Sequence, residues 1–394
     1  MKIAFLCHNI FSDGGVQRVM TTVSNMLSEK NQIDIICTNT KIKIDKEKYR
    51  LKEKNIKILY KNIEDTNIFS KLILKSLRAL NQYTSIFNNE KLYKLLAYIY
   101  YPNKQRNRII NIINENKYDV VIGCEGYYGI LMGIINEKVS AKTISWNHNS
   151  YEAYLKTKYK YYWNRDILFE KYLNKVDDNI VLTNSDKQKY LNNLRVKSRV
   201  IYNPLSFKMD KKSDLKSNII IAVGRLTRQK GFDNLIKSFT EANNKCSDKW
   251  NLWIVGDGID KNHLIEIVKK CDMDKYVQFI PFTNNIEEYF IKASIYAMSS
   301  RWEGFGLVVT EAMEAGLPVV SFDISGPKEI LDKYGNSNIV KSNDINAFSQ
   351  GLYDLMSNYE KRKQYSQNGL KRVSYFYSEN IMKIWENMLY NLWD

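Results

Sequence analysis

The chain has 394 residues, 44% of them hydrophobic and 13% aromatic, with 17 Gly and 5 Pro. That composition is globular and long enough for two or three cores, and it excludes collagen-like, linker-rich and low-complexity architectures. The formal charge is +16, and it is uneven: residues 1–200 hold 34 Lys/Arg and 19 Asp/Glu, whereas residues 201–394 hold 25 and 24. A basic first half attracts nucleic acid, anionic lipid or phosphorylated substrate, and composition does not choose among them.

The opening MKIAFLCHNIF resembles a signal peptide only until His8 and Asn9, which interrupt it before an apolar region of sufficient length, so residues 2–7 read as a first strand. Further strands are expected at 33–37, 119–123, 142–146, 179–183 and 198–201, and a second series at 218–223, 251–255, 276–280, 294–298 and 318–322. Helical patterns separate them, which argues for parallel sheets covered on both faces. The break is expected near Asn203-Pro204, before a Lys/Asp-rich stretch, giving an N-terminal Rossmann-like domain over 1–202 and a second over 203–377. A last helix, 378–394, carries Ile381, Ile384, Trp385, Met388, Leu389 and Leu392 on one face and must pack on something, most simply back on the first domain. Five scattered cysteines (Cys7, Cys37, Cys124, Cys246, Cys271) show no zinc-ligand spacing and read as reduced thiols. No stretch reaches the roughly 18 apolar residues of a membrane span, and a cytoplasmic location is expected.

In open parallel sheets, ligands bind beyond the carboxyl ends of the strands. Strand 218–223 runs into Gly224-Arg225-Leu226-Thr227-Arg228-Gln229-Lys230-Gly231 and then a helix, an arrangement of cations and helix dipole suited to phosphate without being a Walker A loop. Gly256-Asp257-Gly258 ends the next strand and alone is no more than a turn. Residues 301–318, RWEGFGLVVTEAMEAGLP, place Glu303 in a loop before Gly304-Phe305-Gly306 and Glu311 within an otherwise apolar helix. Glu303 there could accept hydrogen bonds from sugar hydroxyls, and Glu311 would be costly to bury without a partner such as ribose.

Taken together, EGFGLVVTEAMEAGLPVV, VGRLTRQKGF and VGDG resemble the retaining glycosyltransferases of glycosyltransferase family 4, with the GT-B fold of two Rossmann-like α/β domains facing across a cleft. The resemblance implies that Arg225 and Lys230 hold the diphosphate of a nucleotide-sugar donor. It also implies that Glu303 contacts the donor sugar, that the amides of Phe305, Gly306 and Leu307 contact sugar and phosphates, and that Glu311 contacts the ribose. Gly224 and Gly256 would line the phosphate turn, and Ile280 and Phe282 the base. In the first domain, Gly14-Gly15 resembles the family's glycine loop, and His148, in TISWNHNSYEAY, matches the histidine beside the transferred sugar. Two departures bear on base preference: Pro281 stands where Gly is usual, and SIYAMSS lacks the family's Asp and Pro where Ser294, Ile295 and Ser299 stand.

Fixed cations at the leaving diphosphate would make a metal or cofactor unnecessary. Glu303 and Glu311 lie on one side of the donor rather than across a scissile bond, so no covalent nucleophile is assigned. Same-face attack, with the departing phosphate aiding deprotonation of the acceptor, is what the family implies. A UDP-sugar is the default donor, with GDP second. A nucleotide-sugar epimerase or hydrolase and a non-catalytic glycan-binding protein are the alternatives. Residues 67–80 put Ile68, Phe69, Leu72, Ile73, Leu77 and Leu80 on one helical face and Lys71, Lys75 and Arg78 on another; 91–108 and 154–165 mix aromatics with cations. Such surfaces suit an anionic membrane and a glycan or lipid-linked acceptor in bacterial surface-polysaccharide synthesis at the inner face of the cell membrane. The competing reading packs the apolar face on the sheet. No nucleic-acid motif is present, and no nucleic-acid partner is expected.

Overall fold

A computed structural model of the chain describes residues 1–12, 14–41, 45, 51–52, 54–63, 68–331 and 335–393. Two parallel sheets organise it. The first contains β1 (Lys2–Cys7), β2 (Gln32–Cys37), β3 (Ile56–Tyr60), β4 (Val120–Cys124), β5 (Lys142–Trp146), β6 (Asp178–Val181) and β7 (Arg199–Val200), in the order β3-β2-β1-β4-β5-β6-β7. The second contains β8 (Ile219–Val223), β9 (Asn251–Val255), β10 (Val277–Ile280), β11 (Ile295–Met298), β12 (Val319–Phe322) and β13 (Ser337–Val340), in the order β10-β9-β8-β11-β12-β13. Every strand pairing among the described residues is parallel, and both orders reverse direction beside the first strand of the sheet, the topological point at which loops diverge and ligands bind. These are the two Rossmann-like units of the GT-B fold.

The strands β1, β4, β8 and β9 are dominated by Ile, Val, Leu and other apolar residues because nearly all of their positions are withdrawn from water, as in parallel sheets covered on both faces; the polar exceptions, Lys2 and Asn251, stand at strand starts. β3 and β13 escape the sequence reading for the converse reason. Each is outermost in its sheet and only half-buried along its length, so neither needs a continuous apolar run. Each unit has its own core. Tyr128, Leu131, Tyr154, Phe169 and Tyr190 fill the first, and Leu235, Phe239, Trp250, Phe322 and Phe348 the second.

The first compact unit comprises Met1–Pro204 with Ser378–Asp394, and the second Leu205–Tyr377. The chain thus returns to its first unit through the helix Ser378–Tyr390, which buries Ile381, Trp385, Met388 and Leu389 and leaves Ile384 exposed. Trp385 meets Trp146 edge-on, ring centroids 4.9 Å apart, and Glu386 pairs with Lys30 at 2.6 Å. The five thiols are free, with those of Cys7, Cys37 and Cys124 buried at the carboxyl ends of β1, β2 and β4.

Candidate active site

In the second unit, the loops after β8, β9 and β11 meet at the carboxyl edge of the sheet. Backbone packing there is too close for side chains. A Cβ on Gly256 would lie 2.1 Å from the carbonyl oxygen of Gly224, and one on Gly224 would lie 2.8 Å from Cε of Lys230. The two glycines therefore let the turns nest and let the aliphatic stem of Lys230 cross the end of β8. Gly256 N–H donates to the Ile280 carbonyl (2.9 Å) and Phe282 N–H to Asp257 Oδ2 (2.9 Å), so the 280–282 loop is joined to the same edge. The Phe282 amide, followed by Lys261, holds the Asp257 carboxyl below its ordinary range. Ile280 is buried and Phe282 is 68% exposed.

The segments 227–231 and 299–303 are zipped together. Arg301 N–H donates to the Gln229 carbonyl (2.8 Å), Gln229 Nε2 to the Trp302 carbonyl (3.0 Å), and the Arg301 guanidinium makes a two-pronged pair with Asp233 at 2.9 and 2.7 Å. Burial raises the Asp233 carboxyl, but the Arg301 hydrogen bonds and charge outweigh it and leave the group below its usual range. Within this frame Lys230 Nζ donates to Glu303 Oε1 at 2.5 Å. Ser300 Oγ donates to the same oxygen (2.9 Å), and Ser299 Oγ to the Lys230 carbonyl (2.9 Å). The Lys230 and Glu303 side chains retain 15% and 12% of their exposure, so the pair is mostly withdrawn from water. Arg225 differs: it is exposed, and its guanidinium has no partner among the described residues.

Glu303 precedes the turn Gly304-Phe305-Gly306, whose last residue takes φ 98°, a left-handed conformation that favours glycine, and starts the helix Leu307–Glu314. Glu311 and Glu314 of that helix are both buried. Glu314 is structural, accepting from Met209 N–H (3.1 Å), Lys212 Nζ (2.5 Å) and Tyr377 Oη (3.1 Å). Glu311 is near enough to Tyr296 to act on it. The buried Tyr296 phenol on β11 is pushed up first by burial and then by the charges of both Glu303 and Glu311. A cationic pair of residues, two carboxylates and a helix start therefore occupy one sheet edge, a combination suited to a phosphorylated, hydroxyl-rich ligand.

In the first unit, β5 ends at Trp146. Asn147 pins the chain there, its amide donating to Asn179 Oδ1 (2.9 Å) and the Ile180 carbonyl (3.2 Å), and Ser150 Oγ caps the helix Tyr151–Lys156 by accepting from Ala153 N–H (3.2 Å). His148 is held between these anchors. It is buried against Trp146, centroids 4.2 Å apart, and neither ring nitrogen has a hydrogen-bond partner among the described residues. Burial lowers its pKa to about 3, so the ring is neutral at physiological pH. Its backbone N–H donates to Tyr154 Oη (3.3 Å), and that hydroxyl in turn donates to Glu125 Oε2. Glu125 begins the helix after β4 with φ 76°, a strained conformation for a residue with a side chain. Burial raises its carboxyl, and the Tyr154 hydroxyl pulls partly the other way.

Residues 206–372 match the family of glycosyl transferases group 1. The match spans nearly all of the second unit, Leu205–Tyr377. Similarity extends beyond it: an uncharacterized glycosyltransferase of Haemophilus influenzae is 28% identical over 98% of this chain and 99% of its own length. Amylovoran biosynthesis glycosyltransferase AmsD of Erwinia amylovora is 34% identical over 44% of this chain and 48% of its own. An N-acetylgalactosamine-N,N'-diacetylbacillosaminyl-diphospho-undecaprenol 4-alpha-N-acetylgalactosaminyltransferase of Campylobacter jejuni is 29% identical over 41% and 44%. Among solved structures, sucrose-phosphate synthase from Thermosynechococcus elongatus superposes with a TM-score of 0.76 at 15% identity over 100% of this chain and 99% of that one. Anabaena HepE in complex with UDP gives 0.75 at 16% over 99% and 100%.

Of the residues expected from sequence, the second unit gathers Gly224, Lys230, Gly256, Ile280, Phe282, Glu303, Phe305, Gly306, Leu307 and Glu311 around one sheet edge, with Arg225 beside them. Gly14 and Gly15 form the start of the helix Gly15–Leu27 after β1, and His148 follows β5, both in the first unit. Arg78 is corrected. Its Nε donates to the Ile99 carbonyl (3.0 Å) and its guanidinium lies over Tyr100, so it faces inward while Lys71 and Lys75 are exposed. Leu77 likewise turns inward rather than lying with the exposed apolar residues. Glu125, Tyr154, Ser300 and the Arg301–Asp233 pair went unseen in the sequence. The two serines lay in the very segment that departs from the family pattern, and only the fold shows that the Ser299 hydroxyl holds the Lys230 backbone.

Proposed function

We propose that the chain is a retaining glycosyltransferase that moves a sugar from a UDP-linked donor to a glycan or lipid-linked acceptor during assembly of a cell-surface polysaccharide. The observation that carries the reading is the Lys230–Glu303 pair beside the exposed Arg225 at the carboxyl edge of the second sheet. Arg225 and Lys230 are the cations to stabilise a departing diphosphate, acting as fixed electrostatic groups. Glu303 would accept from hydroxyls of the donor sugar, Glu311 from the ribose, and exposed Phe282 would lie against the base. Lys230 is paired with Glu303, so the incoming diphosphate and sugar compete with that pair, each for one partner. In the first unit His148, neutral and with neither ring nitrogen hydrogen-bonded among the described residues, would be the candidate partner for a sugar hydroxyl. Attack would occur on the face the leaving group departs from, the β-phosphate oxygen taking the acceptor proton. The C–O bond to the acceptor forms as that to the phosphate breaks, and no protein nucleophile takes part.

UDP as base is supported by the UDP bound in HepE, and a lipid-linked or polysaccharide acceptor by the names of the Campylobacter and Erwinia relatives. The test is a thermal-shift screen of UDP-, GDP- and ADP-sugars followed by transfer assays with the stabilising donor. Stabilisation by UDP-sugars and formation of an α-linked product from an α-linked donor are expected. Stabilisation by none of them, or a product of inverted configuration, would overturn the assignment.

A further inference from the structure

The helix Ile68–Thr84 is inside out. Its one fully buried residue is polar Asn81, whose Nδ2 donates to the Asn164 carbonyl (2.7 Å), while Asn164 Nδ2 donates back to the Gln82 carbonyl (3.0 Å). Arg78 secures the same side on the helix Tyr93–Tyr100. The opposite side is apolar: Ile68 is 75% exposed, Phe69 74%, Leu72 59% and Tyr83 69%, with Ile73 and Leu80 also exposed. At 100° per residue these six span an arc of about 140°. A soluble helix ordinarily turns such an arc to the core. The surface continues through exposed Tyr98 of the neighbouring helix and through Tyr159, whose ring packs at a tilt against Tyr83 with centroids 5.2 Å apart.

Charge identifies the occupant. Lys71 and Lys75 border the arc, and Lys91, Lys94, Lys158 and Lys160 are exposed on the adjoining segments. Residues 68–108 contain eight Lys/Arg and one acidic residue, and residues 154–165 four and none. A second copy meeting this face with its own would add the same excess of cations and only Glu90 to set against them. An anionic bilayer supplies both complements, acyl chains for Phe69 and Leu72 and headgroup phosphates for the lysines, with Tyr83 and Tyr159 at the depth where amphipathic rings settle. Among the described residues no helix is long and apolar enough to cross a membrane. We infer that the exposed face of the helix Ile68–Thr84 docks the protein, in plane, on an anionic lipid bilayer. The inference rests on the proposed transfer to a membrane-borne acceptor for its purpose, but lipid binding is measurable without turnover.

The test is co-sedimentation of the full chain with vesicles of phosphatidylcholine alone and of phosphatidylcholine with phosphatidylglycerol. It compares wild type, F69D/L72D and K71E/K75E, with UDP binding and sedimentation velocity on each protein. Wild type should prefer the anionic vesicles and lose that preference at high salt. F69D/L72D should cut binding to them at least tenfold, and K71E/K75E should remove the preference, while UDP binding is unchanged in both. Equal binding by wild type and both variants, or no binding by wild type, would overturn the inference. So would a concentration-dependent dimer that F69D/L72D dissociates. Loss of UDP binding in wild type with vesicle binding retained would instead sink the transferase reading and leave the membrane face standing.

Discussion

Replacing Glu303 by Gln separates the two roles that meet at its carboxylate. The substitution keeps size and the contact with Ser300 but removes the charge facing Lys230, 2.5 Å away. Fully buried pairs lose about 3–5 kcal/mol when one member is removed and exposed pairs about 0–1, so this mostly buried pair should lose about 2 kcal/mol of folding stability. Catalysis should lose more. A hydrogen bond from a sugar hydroxyl to a charged acceptor contributes about 1.5–3 kcal/mol, which places the fall in kcat at roughly 10–150-fold. UDP affinity should move the other way. Lys230 no longer has an internal anion to leave, so the dissociation constant for UDP should stay the same or tighten by up to about tenfold, or 1.4 kcal/mol. Initial rates of transfer and calorimetric titration with UDP read the two effects separately. If UDP affinity fell in parallel with kcat, Glu303 would serve only to position Lys230, and its assignment to the donor sugar would be wrong.

Tyr154→Phe removes the hydroxyl that joins Glu125 to the His148 backbone. It should cost about 1–2 kcal/mol in thermal unfolding and lower kcat while leaving the UDP dissociation constant unchanged, because UDP is assigned to the other unit. His148 has a folded pKa of about 3 against about 6.5 unfolded, so the unfolded chain binds the extra proton and the stability contributed by the neutral ring is lost as pH falls below about 6.5. Between pH 6.5 and 5 the wild type should lose about 1.6 kcal/mol relative to His148→Phe in denaturant titrations. Gly256→Ala drives a Cβ into the Gly224 carbonyl and should destabilise the second unit by about 2–3 kcal/mol, with UDP binding weakened in whatever remains folded.

The buried strands were legible because two-sided burial leaves only apolar choices, and the phrases around Arg225, Lys230, Glu303 and Glu311 were legible because strand, glycine turn and helix follow one another at fixed spacing. β3 and β13 were not, since an edge strand half in water needs no such run. Nor was the pairing of Lys230 with Glu303, which lie 73 positions apart and meet only because β8 and β11 are neighbours. The helix Ile68–Thr84 shows a different limit. Periodicity revealed its apolar stripe, but which stripe faces inward was decided by Asn81 and Arg78, polar residues whose partners Asn164 and Ile99 lie in distant segments. Trp385 was legible as a buried position, whereas its place against Trp146 required the fold.

Calorimetric titration of UDP into the wild type and into the Arg225→Ala/Lys230→Ala variant tests the central claim most directly, since both cations are assigned to the diphosphate. Two lost charge-assisted contacts of about 1.5–3 kcal/mol each predict a dissociation constant weakened at least 100-fold. An unchanged dissociation constant in a folded double variant would place the nucleotide elsewhere and contradict the account.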